Sequence, residues 1–191
     1  EMKKVVKFGG SSLASASQFE KVGAIIRGDE SRRYVVPSAP GKRFSGDTKV
    51  TDLLYACYRS VGDEEKFQKI LNEIKERYQE IIDGLHLSLS LEEDFSLVEE
   101  NFKKQIGEEY AASRGEYLNG KIMAAYLGFT FVDPAEMIRF DGNGQFDGEI
   151  TEKLVAKKLG SLECAVVPGF YGAKEDGTIK TFSRGGSDIT G

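Results

Sequence analysis

The chain of 191 residues has one histidine, His86. That scarcity excludes a His-rich metal site and leaves any Ser-His-Asp or Cys-His mechanism dependent on one side chain. Its two cysteines, Cys57 and Cys164, stand far apart with no CxxC spacing. Both fall inside predicted regular elements, a helix and a strand, and are expected to be buried, reduced thiols. No apolar run approaches the roughly 20 residues of a membrane span. No basic-plus-apolar signal segment opens the chain, so a reducing cytoplasm is expected. Basic residues are outnumbered, 26 Lys and Arg against 31 Asp and Glu. A net charge of -5 argues against a nucleic-acid partner, because duplex binding rests on a basic surface.

What is present is an ordinary globular balance, 40% hydrophobic and 30% charged. Glycine is plentiful, with 22 residues against 4 prolines, so many backbone positions can take special conformations. Glu1 before Met2 reads as a leftover of cloning. Gly191 falls in what reads as the first turn of a helix, so the chain is expected to be an excerpt of a longer protein.

The pattern alternates strands and helices. Lys3 to Phe8 reads as a strand stopped by Gly9-Gly10. A helix follows, capped by Ser15 or Ser17, with Phe19, Val22, Ile25 and Ile26 on its inner face. Arg33 to Pro37 reads as a second strand, and Ala39 to Lys49 as a mobile loop. Apolar helical spacing then runs from Thr51 through Cys57, from Asp63 to Asp83, and from Leu91 to Ile106 with Ile106 inward. Glu116 to Leu127 reads as a further helix, Phe129 to Val132 and Met137 to Phe140 as strands. Ile150 to Leu159 reads as helix and Leu162 to Val167 as a buried strand. A hairpin covers Gly169 to Phe182. This order implies an α/β fold with a largely parallel sheet and helices on both faces.

Two glycine clusters are the chemical signal. Lys7-Phe8-Gly9-Gly10-Ser11-Ser12 follows the first strand, and Arg184-Gly185-Gly186-Ser187-Asp188 follows the hairpin. Glycines at the C-terminal end of a parallel strand let backbone N–H groups turn toward a ligand, and a helix start behind them favours phosphate. Both clusters are predicted to face one rim of the sheet, where doubly wound folds bind ligands. Other nucleotide and metal signatures fail. Gly115 to Lys121 has Walker A spacing, but Ile122 replaces the magnesium-binding hydroxyl. Asp141 to Glu152 has the outline of a calcium loop, but Phe146 replaces its glycine, and a polar β-turn is the better reading.

Five segments together are similar to aspartokinases: Lys7 to Ser12, Val35-Val36-Pro37-Ser38-Ala39, Ser113 to Leu118, Pro168 to Gly172, and Ser183 to Asp188 with Thr190. The resemblance spans nearly the whole chain. It implies the amino-acid-kinase fold, a three-layer αβα sandwich with a helical portion at about 51–127. Residues 1–191 would be most of the catalytic domain, incomplete at its C-terminus and without the regulatory ACT domains. It implies phosphoryl transfer from MgATP to the side-chain carboxylate of L-aspartate, giving 4-phospho-L-aspartate, the first step toward lysine, threonine and methionine. Departures are Ser183 before Arg184, Asn119 after the Glu116 segment, and the prolines Pro37 and Pro40.

The resemblance assigns roles by position. Lys7 and Asp188 would be catalytic, Lys7 neutralising phosphoryl charge and Asp188 orienting Lys7. Lys7, Gly9, Gly10 and Ser11 would bind the nucleotide phosphates. Ser38, Thr51, Glu116, Arg184, Gly185, Gly186 and Ser187 would form the substrate pocket, with Glu116 facing the ammonium and Arg184 the α-carboxylate. No protein metal ligand is expected, magnesium entering with ATP. The complete protein is expected to be a homo-oligomer. Another amino-acid kinase, acting on glutamate, N-acetylglutamate or UMP, is the nearer alternative. A non-catalytic ligand-binding module on the same fold is the other.

Overall fold

The computed structural model describes residues 2–169 and 171–182. Strand β1 (Lys4–Phe8) pairs in parallel with β2 (Arg32–Pro37), placing Val6 beside Val35. Further along the chain come β3 (Thr130–Phe131), β4 (Arg139–Phe140), β5 (Ala165–Val166), β6 (Tyr171–Lys174) and β7 (Ile179–Thr181). The main sheet runs β1-β2-β5-β3 and is parallel throughout. Its centre is buried on both faces, as the apolar runs in β2 and β5 require. The other three strands form a separate sheet, β4 parallel to β6 and β6 antiparallel to β7. Asp133 starts this second sheet by turning the chain away from the first. Its Oδ1 accepts the Ala135 N–H at 3.0 Å and opens a 3-10 turn over Pro134–Glu136.

Six α-helices occur among the described residues: α1 (Ala16–Arg27), α2 (Val50–Arg59), α3 (Glu64–Gly84), α4 (Glu92–Lys103), α5 (Glu108–Leu127) and α6 (Gly148–Leu159). The first five build a core on one face of the main sheet, where Val35 and Val166 meet Phe19, Tyr78 and Ile122. On the other face Ala165 and Val167 meet Phe140 and the α6 residues Leu154 and Val155. Period-2 alternation along each strand divides the side chains between these faces. The result is the predicted three-layer α/β arrangement. No helix of the described residues is long and apolar enough to cross a membrane.

Local chemistry sets several boundaries. Ser15 caps α1, accepting the Gln18 N–H at 3.4 Å. Ile25, predicted inward, is half exposed because Ile26 takes the buried position in register with Phe19 and Val22. Helix α4 stops before Ile106, because Gln105 adopts a left-handed φ of 53° and bonds Phe102 and Tyr58 carbonyls through its amide. Ile106 therefore faces outward, against prediction. The predicted strand from Leu162 is only two residues long, so Cys164 lies just outside it and is partly exposed, while Cys57 is buried in α2. Helix α5 begins eight residues ahead of the predicted Glu116, and Tyr110, Ala111 and Ala112 bury in its first turns.

Candidate active site

Four segments meet at the C-terminal rim of the parallel sheet: the turn after β1, the loop after β2, the start of α2 and the middle of α5. They line a cleft of about 430 Å³. Five predicted residues border it, namely Gly10, Ser11, Ser38, Thr51 and Glu116. Five unpredicted ones join them: Ala39, Pro40, Gly41, Lys42 and Lys49.

The cleft floor is a crossing of two backbones. Gly10 opens a 3-10 turn (Gly10–Leu13), whose first N–H groups have no acceptor within the turn. The Gly41 N–H donates to the Gly10 carbonyl at 2.8 Å. A Cβ on Gly10 would lie 2.9 Å from the Ala39 carbonyl oxygen, and one on Gly41 only 2.7 Å from the Gly10 carbonyl carbon. Real Cβ atoms do not come so close, so this crossing requires glycine on both sides. Gly9 has open space around it and does not border the cleft.

Helix α5 supplies the opposite wall. Gly115 sits mid-helix where a Cβ would meet that of Ala39 at 2.8 Å, which lets the helix press against the loop. The Tyr78 hydroxyl donates to the Gly115 carbonyl at 2.8 Å. One turn on, the Asn119 amide donates to the Ser38 carbonyl at 2.8 Å. Asn119 thus has a structural task, fixing the end of β2.

Glu116 is 7% exposed. Its Oε1 accepts the Ala39 N–H at 3.2 Å, while its Oε2 has no partner among the described residues. Burial pushes its carboxyl up to about 8, with the Ala39 N–H and the Arg114 charge pulling weakly the other way. Near neutral pH the cleft therefore holds a protonated acid, with one oxygen unpaired among the described residues. Arg114 lies beside it, stacked on the rings of Tyr110 and Tyr117 at 4.6 and 4.3 Å from their centroids.

The loop from Ala39 to Lys49, predicted mobile, is tied down. Arg77 of α3 is 4% exposed and donates to the Gly41 and Thr48 carbonyls, both at 2.8 Å. Asp47 lies 3.5 Å from Arg77 and 2.7 Å from Arg43, and the Arg43 guanidinium holds its carboxyl well below the usual range. A loop rich in glycine and charge reads as free when its partners lie 29 and 36 residues away on a helix.

Lys7 stands one residue before the end of β1, on the face of Val5 and opposite Val6 and Phe8, and is not among the residues that border the cleft. Arg184, Gly185, Gly186, Ser187 and Asp188 lie outside the described residues, so the predicted meeting of the two glycine clusters does too. His86 is exposed at the end of α3 with a left-handed φ of 56°, a helix-exit residue away from the cleft. The Asp141 segment is a polar turn, its carboxylate accepting the Asn143 and Gln145 N–H groups at 2.8 and 3.0 Å. The described residues gather no group of three or more His, Cys, Asp or Glu able to hold a metal.

Comparison with known proteins gives the same family by three routes. The family model described as the amino acid kinase family matches residues 2–191. Aspartokinase 3 of Bacillus subtilis is 39% identical over 206 aligned residues, covering 98% of this chain and 44% of that protein. The crystal structure of Clostridium acetobutylicum aspartate kinase superposes with a TM-score of 0.93 at 47% identity, over 97% of this chain and 43% of that one. E. coli aspartokinase III, solved with aspartate and ADP, superposes at 0.82 with 25% identity, over 100% of this chain and 45% of its own. The chain thus spans less than half the length of these relatives.

Proposed function

The chain belongs to the amino acid kinase family, and from that premise we propose that it is the larger, N-terminal part of an aspartate kinase catalytic domain, with a helical portion at about 51–127. The reaction is transfer of the γ-phosphoryl group of ATP to the side-chain carboxylate of L-aspartate, giving 4-phospho-L-aspartate on the way to lysine, threonine and methionine. The observation that carries this reading is the buried carboxylate of Glu116, with one oxygen unused, in a cleft shared with Gly10, Ser11, Ser38 and Thr51. The relatives named as aspartokinases support it.

The acceptor carboxylate has a reference pKa near 3.9 and is ionised at neutral pH, so it needs no general base. A chain whose lone histidine lies away from the cleft suits that chemistry. Catalysis reduces to in-line positioning and charge stabilisation. Glu116, once ionised, pairs with the substrate ammonium, and Ser38 and Thr51 offer hydroxyls within the same cleft. Gly9, Gly10 and Ser11 offer N–H groups to phosphate, and Lys7 neutralises the transferring group. Arg184 takes the α-carboxylate, Gly185, Gly186 and Ser187 complete the substrate pocket, and Asp188 orients Lys7. Magnesium, arriving with the nucleotide, neutralises phosphate charge. The described residues gather no group of three or more His, Cys, Asp or Glu to hold it.

We place the protein in the cytoplasm, as a homo-oligomer when complete, and expect the 191 residues alone to be inactive. The test is ATP turnover by the full-length protein with aspartate, glutamate, N-acetylglutamate or UMP as acceptor. Aspartate alone should support turnover. Turnover with another acceptor overturns the substrate assignment, and aspartate binding without turnover favours a ligand-binding module.

A further inference from the structure

We infer that Lys42 and Lys49 are anion-binding residues of the cleft and that Arg77 is the residue that positions them. This rests on the aspartate-kinase reading above. Both lysines border the cleft, on the wall that continues from the Gly10–Gly41 crossing toward Thr51. Neither forms an ion pair among the described residues, although Arg43 and Asp47 in the same loop pair at 2.7 Å. The only carboxylate bordering the cleft among the described residues is Glu116, which burial keeps protonated near neutral pH. The described lining is therefore net cationic.

That charge has a use. An ionised acceptor carboxylate must approach a phosphoryl group that is itself anionic, and the two repel. Ammonium groups between them lower that repulsion and need no fixed fork geometry, which suits lysine.

The loop's anchorage matches this role. Among the described residues Arg77 donates to two carbonyls, those of Gly41 and Thr48, both at 2.8 Å. These are the residues immediately before Lys42 and Lys49. One buried guanidinium thus fixes the two peptide planes from which both lysines depart. Asp47, shared with Arg43, lies 3.5 Å from the guanidinium, and Glu73, Glu76 and Glu80 border the same polar cavity, so carboxylates surround its charge. A loop that only closed the space between β2 and α2 would not need both of these planes held by one side chain.

The experiment uses the full-length protein with Lys42→Met, Lys49→Met, their combination, Arg77→Met and Arg77→Lys. It reads aspartate kcat and KM, the salt dependence of kcat/KM, and calorimetric binding of aspartate and of magnesium with a non-hydrolysable ATP analogue. Each lysine variant should lose about tenfold in kcat/KM, the size of one charge-assisted contact. The double variant should lose more, with a flatter salt dependence and an unchanged unfolding midpoint, since both side chains are exposed. Arg77→Met should reproduce that loss, Arg77→Lys should recover part of it, and adding Arg77→Met to the double lysine variant should change little more. A double lysine variant with wild-type kinetics, salt dependence and binding overturns the inference even if Arg77→Met fails to fold. A wild-type protein without aspartate turnover overturns the kinase reading instead. In that case reduced analogue binding by the double lysine variant still supports the cation assignment, and unchanged binding refutes it.

Discussion

Glu116→Gln should make the ligand-free chain more stable in mild alkali and remove a pH dependence that the wild type shows. The carboxyl rises from 4.5 when unfolded to about 8 when folded, because burial disfavours its charge. Below 4.5 both states hold the proton, and the site contributes no pH dependence. Between 4.5 and about 8 the folded state keeps a proton that the unfolded state has released, so stability falls as pH rises. The loss is complete above about 8, where both states are ionised. At about 1.4 kcal/mol per pKa unit, the whole span is on the order of 5 kcal/mol, and the side chain is too buried for solvent to screen much of it. The carboxylates with strongly lowered values, Asp29 and Asp47, titrate in acid and stay ionised throughout this window. Urea denaturation between about pH 5.5 and 8.5 is the assay, read as the slope of stability against pH. A glutamine variant that keeps the wild-type slope would refute the reasoning. The same linkage reaches binding. An ammonium at Glu116 favours the ionised form, so wild-type aspartate binding should release close to one proton near neutral pH, visible as a buffer-dependent binding enthalpy. The glutamine variant should bind weakly and release none.

Gly41→Ala should lower stability by about 1–3 kcal/mol and weaken aspartate binding together, because a Cβ there meets the Gly10 backbone, which cannot swing aside. Urea midpoints and calorimetry on the same variant check both, and an unchanged midpoint would sink the argument. Cys57 should resist thiol reagents until the chain unfolds, since burial pushes its thiol up to about 12, whereas partly exposed Cys164 should react at once. Counting thiols released before and after denaturation tests this directly.

The sequence carried the elements whose signal is local. Helix α3 buries six apolar or aromatic residues at helical spacing and has an Asp63 cap, and its boundaries match within one or two residues. The cleft residues Ser38, Thr51 and Glu116 are legible from motif resemblance, since nothing local distinguishes Glu116 from a solvated helix charge. Its burial follows from Gly115, which lets α5 reach Ala39, a contact between residues far apart in the chain. The same distance hid Arg77, whose acceptors are backbone carbonyls in a loop with no pattern of its own. Lys42 and Lys49 were visible only as charges in a segment that composition marks as a free loop. The early start of α5, eight residues ahead of the predicted Glu116, rests on packing of Gly115 against Tyr78 and Leu54, which lie far away in the chain.

Helix α5 also constrains how this protein can change length. Glu109 near its start binds the β7 residues Lys180 and Thr181, at 2.9 Å and 3.1 Å. Glu116 and Asn119 bind the loop after β2 from the same rod. Adding or deleting one residue between them would turn everything beyond by about 100° and shift it by about 1.5 Å. No neighbouring loop could absorb that rotation, because both anchors belong to one continuous helix. The intervals of seven residues from Glu109 to Glu116 and three from there to Asn119 should therefore stay fixed across relatives. Length variation should gather in the turns between α2, α3 and α4, which can grow without rotating the cleft.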